Sequence, residues 1–190
     1  MNFPQSQRKS GFSLIELVIT MTILSILVGV VSFRSGAVVE RGKATKISSL
    51  VDTLKTACTL HHADTGTFAT EEGALGSASD HKLTATQTSA GWSGPYLETP
   101  LVADNHNPFG SLKVYSTVTG DSYNTGFDLD GDGTNDQAGA GNMLKLDSVP
   151  IKVAQMLDDT FDRGVAGDWE ATGRVQYNAS ATRVMVLLYY

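Results

Sequence analysis

Apolar residues are spread very unevenly along this chain. From Phe12 to Phe33 the sequence reads FSLIELVITMTILSILVGVVSF, 22 residues with a single charge, Glu16. From there to the end of the chain apolar residues alternate with polar ones in shorter patterns. Val38, Ile47, Leu50, Val51, Leu54, Ala57 and Cys58 recur at spacings of three and four, the stripe of a helix with one buried face. The other side carries Arg41, Lys43, Lys46, Asp52 and Lys55. No Pro interrupts 12–60. The two patterns together predict one long helix from Phe12 to His61 or His62.

Beyond it, Thr65–Gly91 is rich in Gly, Ala, Ser and Thr and reads as irregular loop. Leu112–Val118, Met143–Leu146, Arg174–Tyr177 and Arg183–Tyr190 read as strands. Asn178–Ala181 forms the turn between the last two. Val149–Phe161 reads as a short helix with Pro150 in its first turn. The expected fold class is α+β: a long N-terminal helix whose second half packs against a small antiparallel sheet.

A helix of about 20 residues spans the hydrocarbon core of a bilayer, so the first run predicts a membrane span. A discarded signal peptide is the competing reading. The run is longer than the roughly 7–15 residues of such a segment, and no A-x-A-like cleavage site follows it. A plain anchor leaves Glu16 unexplained. A carboxylate in lipid costs a few kcal/mol or more, and such a residue marks a functional partner. The run contains no cation, so the partner is expected on another chain.

Composition narrows the function. The chain has 190 residues, 14 Lys and Arg against 20 Asp and Glu, and a net charge of −6. That balance argues against a nucleic-acid binder, which needs a basic patch. A single cysteine, Cys58, excludes an intrachain disulfide framework and a cysteine-based zinc site. It lies on the helical stripe and reads as a buried apolar residue. His61 and His62 are adjacent, do not share a helix face, and read as C-terminal caps rather than metal ligands. No nucleophile–base pair, phosphate loop or His cluster is present, so no enzyme is expected.

Met1–Gly11, MNFPQSQRKSG, is polar and basic, and Phe12-Ser13-Leu14-Ile15-Glu16-Leu17 follows. These residues resemble the N-terminus of the type IV filament family, the type IV pilins and the pseudopilins of type II secretion. The resemblance implies a leader (1–11) cut between Gly11 and Phe12 by a prepilin peptidase that also methylates Phe12. It further implies a membrane and filament-core helix (12–33), its amphipathic continuation (34–62) and a head (63–190). Glu16 would pair with the freed α-amino group of a neighbouring subunit, so that each buried charge is compensated. A staggered, non-closing contact between identical helices builds a helical filament. Many pilins carry a helix-breaking Pro late in the run; this chain has Phe33 in that area.

Positive charge is heavier after the run (Arg34, Arg41, Lys43, Lys46) than before it (Arg8, Lys9). Taken alone, that favours a cytoplasmic C-terminal part. Long domains translocate largely regardless of charge, and the resemblance implies a bacterial inner-membrane protein with a periplasmic head.

Gly91-Trp92-Ser93-Gly94-Pro95-Tyr96-Leu97 and Asp104-Asn105-His106-Asn107-Pro108-Phe109-Gly110 resemble the W-x-G-P-Y-L element and aromatic turn of the major pseudopilins, to which the chain is most similar. Thr67–Gly73 resembles the stretch that follows their helix. In physical terms Trp92, Tyr96 and Phe109 supply surface that can clamp the loop onto the helix, with Pro95 and Pro108 fixing turns.

The loop 126–139 opens G-F-D-L-D-G-D-G-T-N-D. Asp128, Asp130, Asp132, the Thr134 carbonyl and Asp136 fall at positions 1, 3, 5, 7 and 9 of an EF-hand-like loop, with Gly133 at position 6. Hard oxygen donors at alternate residues suit Ca²⁺. Position 12 is Gly139, so either a remote carboxylate such as Asp121 or Asp147 completes the shell or the site is weak. A solvated Asp/Gly turn is the alternative. Major pseudopilins bind calcium through a differently patterned loop, so the resemblance supplies no ligands.

The expected function is a structural subunit of a type II secretion pseudopilus. A type IV pilus subunit is the alternative, and a non-polymerising, membrane-anchored calcium module a further one. The implied partners are copies of itself and related pilin-like subunits, the peptidase/methyltransferase, the inner-membrane assembly platform and the membrane. The assembled filament would lie in the periplasm or on the cell surface.

Overall fold

The structure, a computed structural model, describes residues 11–72, 80–101 and 106–190, with the side chains of 32–35 and 37 left aside. The leader before Gly11, Gly73, Asp104-Asn105 and the side chains of Phe33 and Arg34, all named above, therefore lie outside the described residues. The elements run α1 (Leu14–Thr65), β1 (Glu71–Glu72), β2 (Leu112–Thr117), β3 (Ala140–Leu146), α2 (Ile151–Phe161), β4 (Val175–Asn178) and β5 (Arg183–Tyr189). The chain divides into two units, Met1–Val39 and Glu40–Tyr190.

In the first unit α1 carries the apolar run, and Leu14–Val31 is long and apolar enough to cross a membrane. None of it is buried among the described residues. Phe12, Leu14, Ile15, Met21 and Ile26 are all more than 60% exposed. The hydroxyls in the run are satisfied locally. Thr20 donates to the Leu17 carbonyl, Thr22 to Val18 and Ser25 to Met21, at 2.8–2.9 Å. Such back-bonding removes the need for water.

The second unit holds the C-terminal part of α1, a five-stranded antiparallel sheet in the order β1-β2-β3-β5-β4, and α2. The buried stripe of α1 is Ala44, Ile47, Val51, Leu54, Ala57 and Cys58. It packs with Leu112 and Val114 of β2, Leu144 and Leu146 of β3, Val184, Val186 and Leu188 of β5, and Val153, Ala154 and Leu157 of α2. Val38, which the spacing placed on this stripe, is 67% exposed, so the buried face begins only at Ala44.

The opposite sheet face has its own core of Val118, Phe127, Met143, Met185 and Leu187, with Tyr115 and Leu129 against it. That explains β5. Val184–Leu188 is buried at every position because both faces are covered. The strand that closes the sequence thus lies inside the sheet, between β3 and β4.

The long helix ends later than its histidines suggest. Gly66, at φ 68°, takes the left-handed position after α1, and its N–H bonds the His62 carbonyl at 2.8 Å. His61 and His62 do not cap it. His61 is buried, its Nδ1 lies 3.1 Å from the Thr67 carbonyl, and burial lowers its pKa. His62 stacks on Phe68 at 4.5 Å. Both fasten the departing chain.

The aromatic clamp forms as the sequence implied. The Tyr96 hydroxyl donates to Asp64 at 2.8 Å and Ser93 donates to the same carboxylate. These two bonds hold Asp64 below the usual carboxylate range. Trp92 meets Tyr96 edge-on at 6.0 Å. Tyr96, Leu97 and Phe109 pack on the main core. Cys58 is fully buried, and burial, with Glu71 nearby, pushes its thiol up to about 12.

Candidate processing segment and acidic loop

Gly11 and Phe12 precede α1 outside any helix or strand, and both are exposed. Ser13 stands just before the first helical residue. Glu16, three residues on, returns its Oε2 to the Ser13 N–H at 3.2 Å. That is one half of a capping box, a carboxylate satisfying a donor that the helix start leaves unpaired. Leu17 N–H closes the first turn on the Ser13 carbonyl at 3.2 Å. The three residues expected to carry processing and assembly thus fall within six residues, two before the helix and one in its first turn. Glu16 is exposed with the apolar residues around it.

The acidic loop lies between β2 and β3. The expected ligands divide into two groups. Carboxylate oxygens of Asp128, Asp130 and Asp136 lie within 4.8 Å of one another. Asp132 does not join them. Its Oδ1 accepts both the hydroxyl and the N–H of Thr134, which hold it below the usual carboxylate range.

Backbone donors support the converging group. Asp128 accepts from Gly131 at 2.8 Å and Gly133 at 2.9 Å, and Asp136 accepts from the Leu129 N–H at 2.7 Å. Gly131 has φ 80°, and a Cβ there would sit 1.9 Å from the Ala166 carbonyl oxygen. Only glycine fits this crossing. The Asp128 carbonyl accepts from Gly173 at 2.7 Å, so the loop is tied to the segment before β4. Phe127, next to Asp128, is the largest side chain of the second core. One end of the loop is therefore fixed, while Asp130 and Asp136 face solvent.

The remote carboxylates expected to complete a shell are committed elsewhere. Arg183 pairs with both Asp121 oxygens at 2.9 Å and with Asp147 at 2.6 Å. Lys145 lies 3.3 Å from Asp147. Burial pushes Asp147 up, but Ser111, Arg183 and Lys145 outweigh it and keep the carboxyl below the usual range. Neither residue is offered to the loop; both belong to a partly buried ion network beside β3 and β5.

One buried carboxyl group escaped the sequence reading. Glu71 is fully buried and accepts from the Leu83 N–H at 2.9 Å and the Thr84 hydroxyl at 2.7 Å, with His81 Nδ1 at 3.0 Å. Only the adjacent Glu71-Glu72 pair just after the helix hinted at it.

Comparison with known proteins bears on one segment. Residues 6–32 match the family model described as the prokaryotic N-terminal methylation motif. No curated protein matches the chain, and no solved structure does. The matched segment contains Gly11, Phe12 and Glu16 and nearly all of the exposed apolar run. The first part of the chain therefore carries the sequence pattern of a prokaryotic N-terminal methylation motif, and the match does not reach the rest of the chain.

Proposed function

We propose that this prepilin-type chain is a structural subunit that polymerises through α1 into a type II secretion pseudopilus. The observation that carries the reading is the first part of α1. It is apolar on every side, unburied by its own chain, and holds one carboxylate four residues beyond the cleavage point. Apolar surface left in water is unfavourable by roughly 25 cal/mol per Å². Lipid covers it in the stored subunit and neighbouring helices cover it in a filament.

Cleavage between Gly11 and Phe12 creates an α-amino cation with a reference pKa near 8. Glu16 of the next subunit neutralises it in the helical core. Glu16→Ala is expected to leave cleavage intact and abolish or slow filament formation; normal filaments would sink the pairing. Deleting the gene separates the two filament types. Loss of secreted enzymes from the medium with surface fibres intact supports the pseudopilus, and loss of surface fibres with secretion intact supports the pilus subunit.

The acidic loop adds a calcium site to this proposal, with Asp128, Asp130 and Asp136 as its carboxylate ligands. Three carboxylates held within 4.8 Å repel one another without a cation. Extracellular sites of this type have affinities near 10⁻⁴–10⁻³ M, so 1 mM Ca²⁺ adds about 0.4–1.4 kcal/mol. Thermal unfolding should show that gain in the parent chain and its absence in Asp130→Ala/Asp136→Ala. Equal unfolding temperatures with calcium and with chelator would exclude the site.

A further inference from the structure

The positive charge that follows the apolar run has no place in the filament reading. Arg41, Lys43 and Lys46 lie within six residues of α1 that contain no carboxylate, and Glu40 immediately precedes them. After Lys46 the balance reverses, with eight Lys and Arg against eighteen Asp and Glu. Arg41 and Lys46 are exposed. Lys43 rests its side-chain nitrogen 4.6 Å above the Phe109 ring. Among the described residues none of the three forms an ion pair with its own chain, unlike Lys113, Lys145 and Arg183. Asp159 lines the same groove as Arg41 without pairing with it.

We infer that Arg41, Lys43 and Lys46 bind the anionic lipid headgroups of the membrane that the apolar run crosses. At about 100° per residue Arg41 falls on one side of α1 and Lys43 and Lys46 on the other, within about 8 Å of axial rise. Charges that encircle an axis at one level match a plane across that axis. A rod-shaped partner would be matched by a stripe along one side. Helical side chains lean toward the helix N-terminus, here toward the span.

Distance then ranks the three. The 20 residues Phe12–Val31 fill about 30 Å of hydrocarbon, and the headgroup layer adds roughly 5–7 Å. Arg41 follows Val31 by ten residues, about 15 Å of helical rise, and Lys46 by about 22 Å. With screening over about 8 Å, Arg41 contributes most and Lys46 least. The inference rests on membrane anchoring alone and holds for a subunit that never polymerises.

The test is lipid retention by the full-length chain in nanodiscs of phosphatidylcholine and phosphatidylglycerol, read by native mass spectrometry. A cation at the surface is worth about five-fold in binding. Screening over about 8 Å cuts that to about two-fold for Arg41 and less for Lys43, so Arg41→Gln/Lys43→Gln should lower the retained phosphatidylglycerol-to-phosphatidylcholine ratio roughly three-fold, and Lys46→Gln by less than about 1.5-fold. Arg8, Lys9 and Arg34 stay in every variant, so the difference belongs to the three positions. An unchanged ratio in the double variant would overturn the inference, as would an equal fall in the control Lys152→Gln. A fall in cross-linking between copies with the lipid ratio unchanged would assign these charges to a second subunit and overturn it as well. An unshifted melting temperature of the head confirms that the variants fold.

Discussion

Residues 14–31 and 44–61 belong to one helix, yet their apolar surface meets opposite fates. In 44–61 apolar residues occupy one face, and the sheet and α2 bury it: Ile47, Leu54 and Cys58 have no exposed surface. In 14–31 they occupy every face, and nothing among the described residues covers them. The backbone is the same and the helical bonds are the same. What differs is the angular distribution of apolar side chains. An arc can be satisfied from within the chain, whereas a full circle requires cover from outside. The second half of α1 therefore belongs to the head's stability and the first half to its environment.

The sharpest way to break that comparison is a matched truncation. Leu54→Ala should destabilise the head by about 2–5 kcal/mol, since the site is enclosed on all sides. Leu24→Ala, where the side chain is 59% exposed, should leave the unfolding of the head unchanged. Denaturant unfolding of the full chain in detergent measures both. Equal effects would mean that the two halves are not energetically distinct.

A charge deletion comes next. Arg183→Met leaves Asp121 and Asp147 with Lys145 as their remaining cation. Removing one member of a partly buried network should cost about 2–3 kcal/mol, read in the same unfolding experiment. A change under about 0.5 kcal/mol would make the network a solvated surface pair.

Cys58 sharpens the comparison kinetically. Its thiol is buried and pushed up to about 12, so thiolate is scarce at neutral pH. Labelling by a thiol reagent should be slow in the native chain and accelerate with denaturant in step with head unfolding. Rapid labelling of the native protein would contradict the packing of the α1 stripe.

The smallest effect expected concerns α2. Burial, then Asp162 and Asp159, raises Asp158 to about 6. Between about pH 4 and pH 6 the folded state holds a proton that the unfolded state has released. Stability from this group is therefore lost as pH rises through that window. Asp158→Asn should raise the melting temperature by a degree or two at pH 7 and flatten the profile between pH 4 and 6. Solvent screening keeps the effect under about 1 kcal/mol. An unchanged profile would rule out this titration.

Periodicity made both helices and four strands legible, because each has a solvent-free face wide enough to impose a pattern. A second signal was local, a basic leader, Gly11, Phe12 and Glu16 in fixed order, and it falls in the segment that matches the N-terminal methylation motif. Contacts between distant residues were not legible. β1 is two glutamates, which read as loop until His81, Leu83 and Thr84 close around Glu71. Asp121 and Asp147 looked free to reach the acidic loop because their cation, Arg183, lies 62 and 36 residues away in sequence. Even within the loop, spacing alone put Asp132 with the other aspartates, while Thr134 two residues on draws it aside. His61 and His62 looked like a helix end because they are polar. The stop is Gly66, whose left-handed φ belongs to the turn itself.

The central claim is that Phe12, not Met1, begins the working protein. Intact mass and N-terminal sequencing of the chain recovered from native membranes test it directly. The expected result is a chain that starts at methylated Phe12, lacking Met1–Gly11. A chain still starting at Met1 or Asn2 would contradict processing and point to a static anchored module. One starting beyond Phe33 would reduce the apolar run to a discarded signal and remove the filament reading.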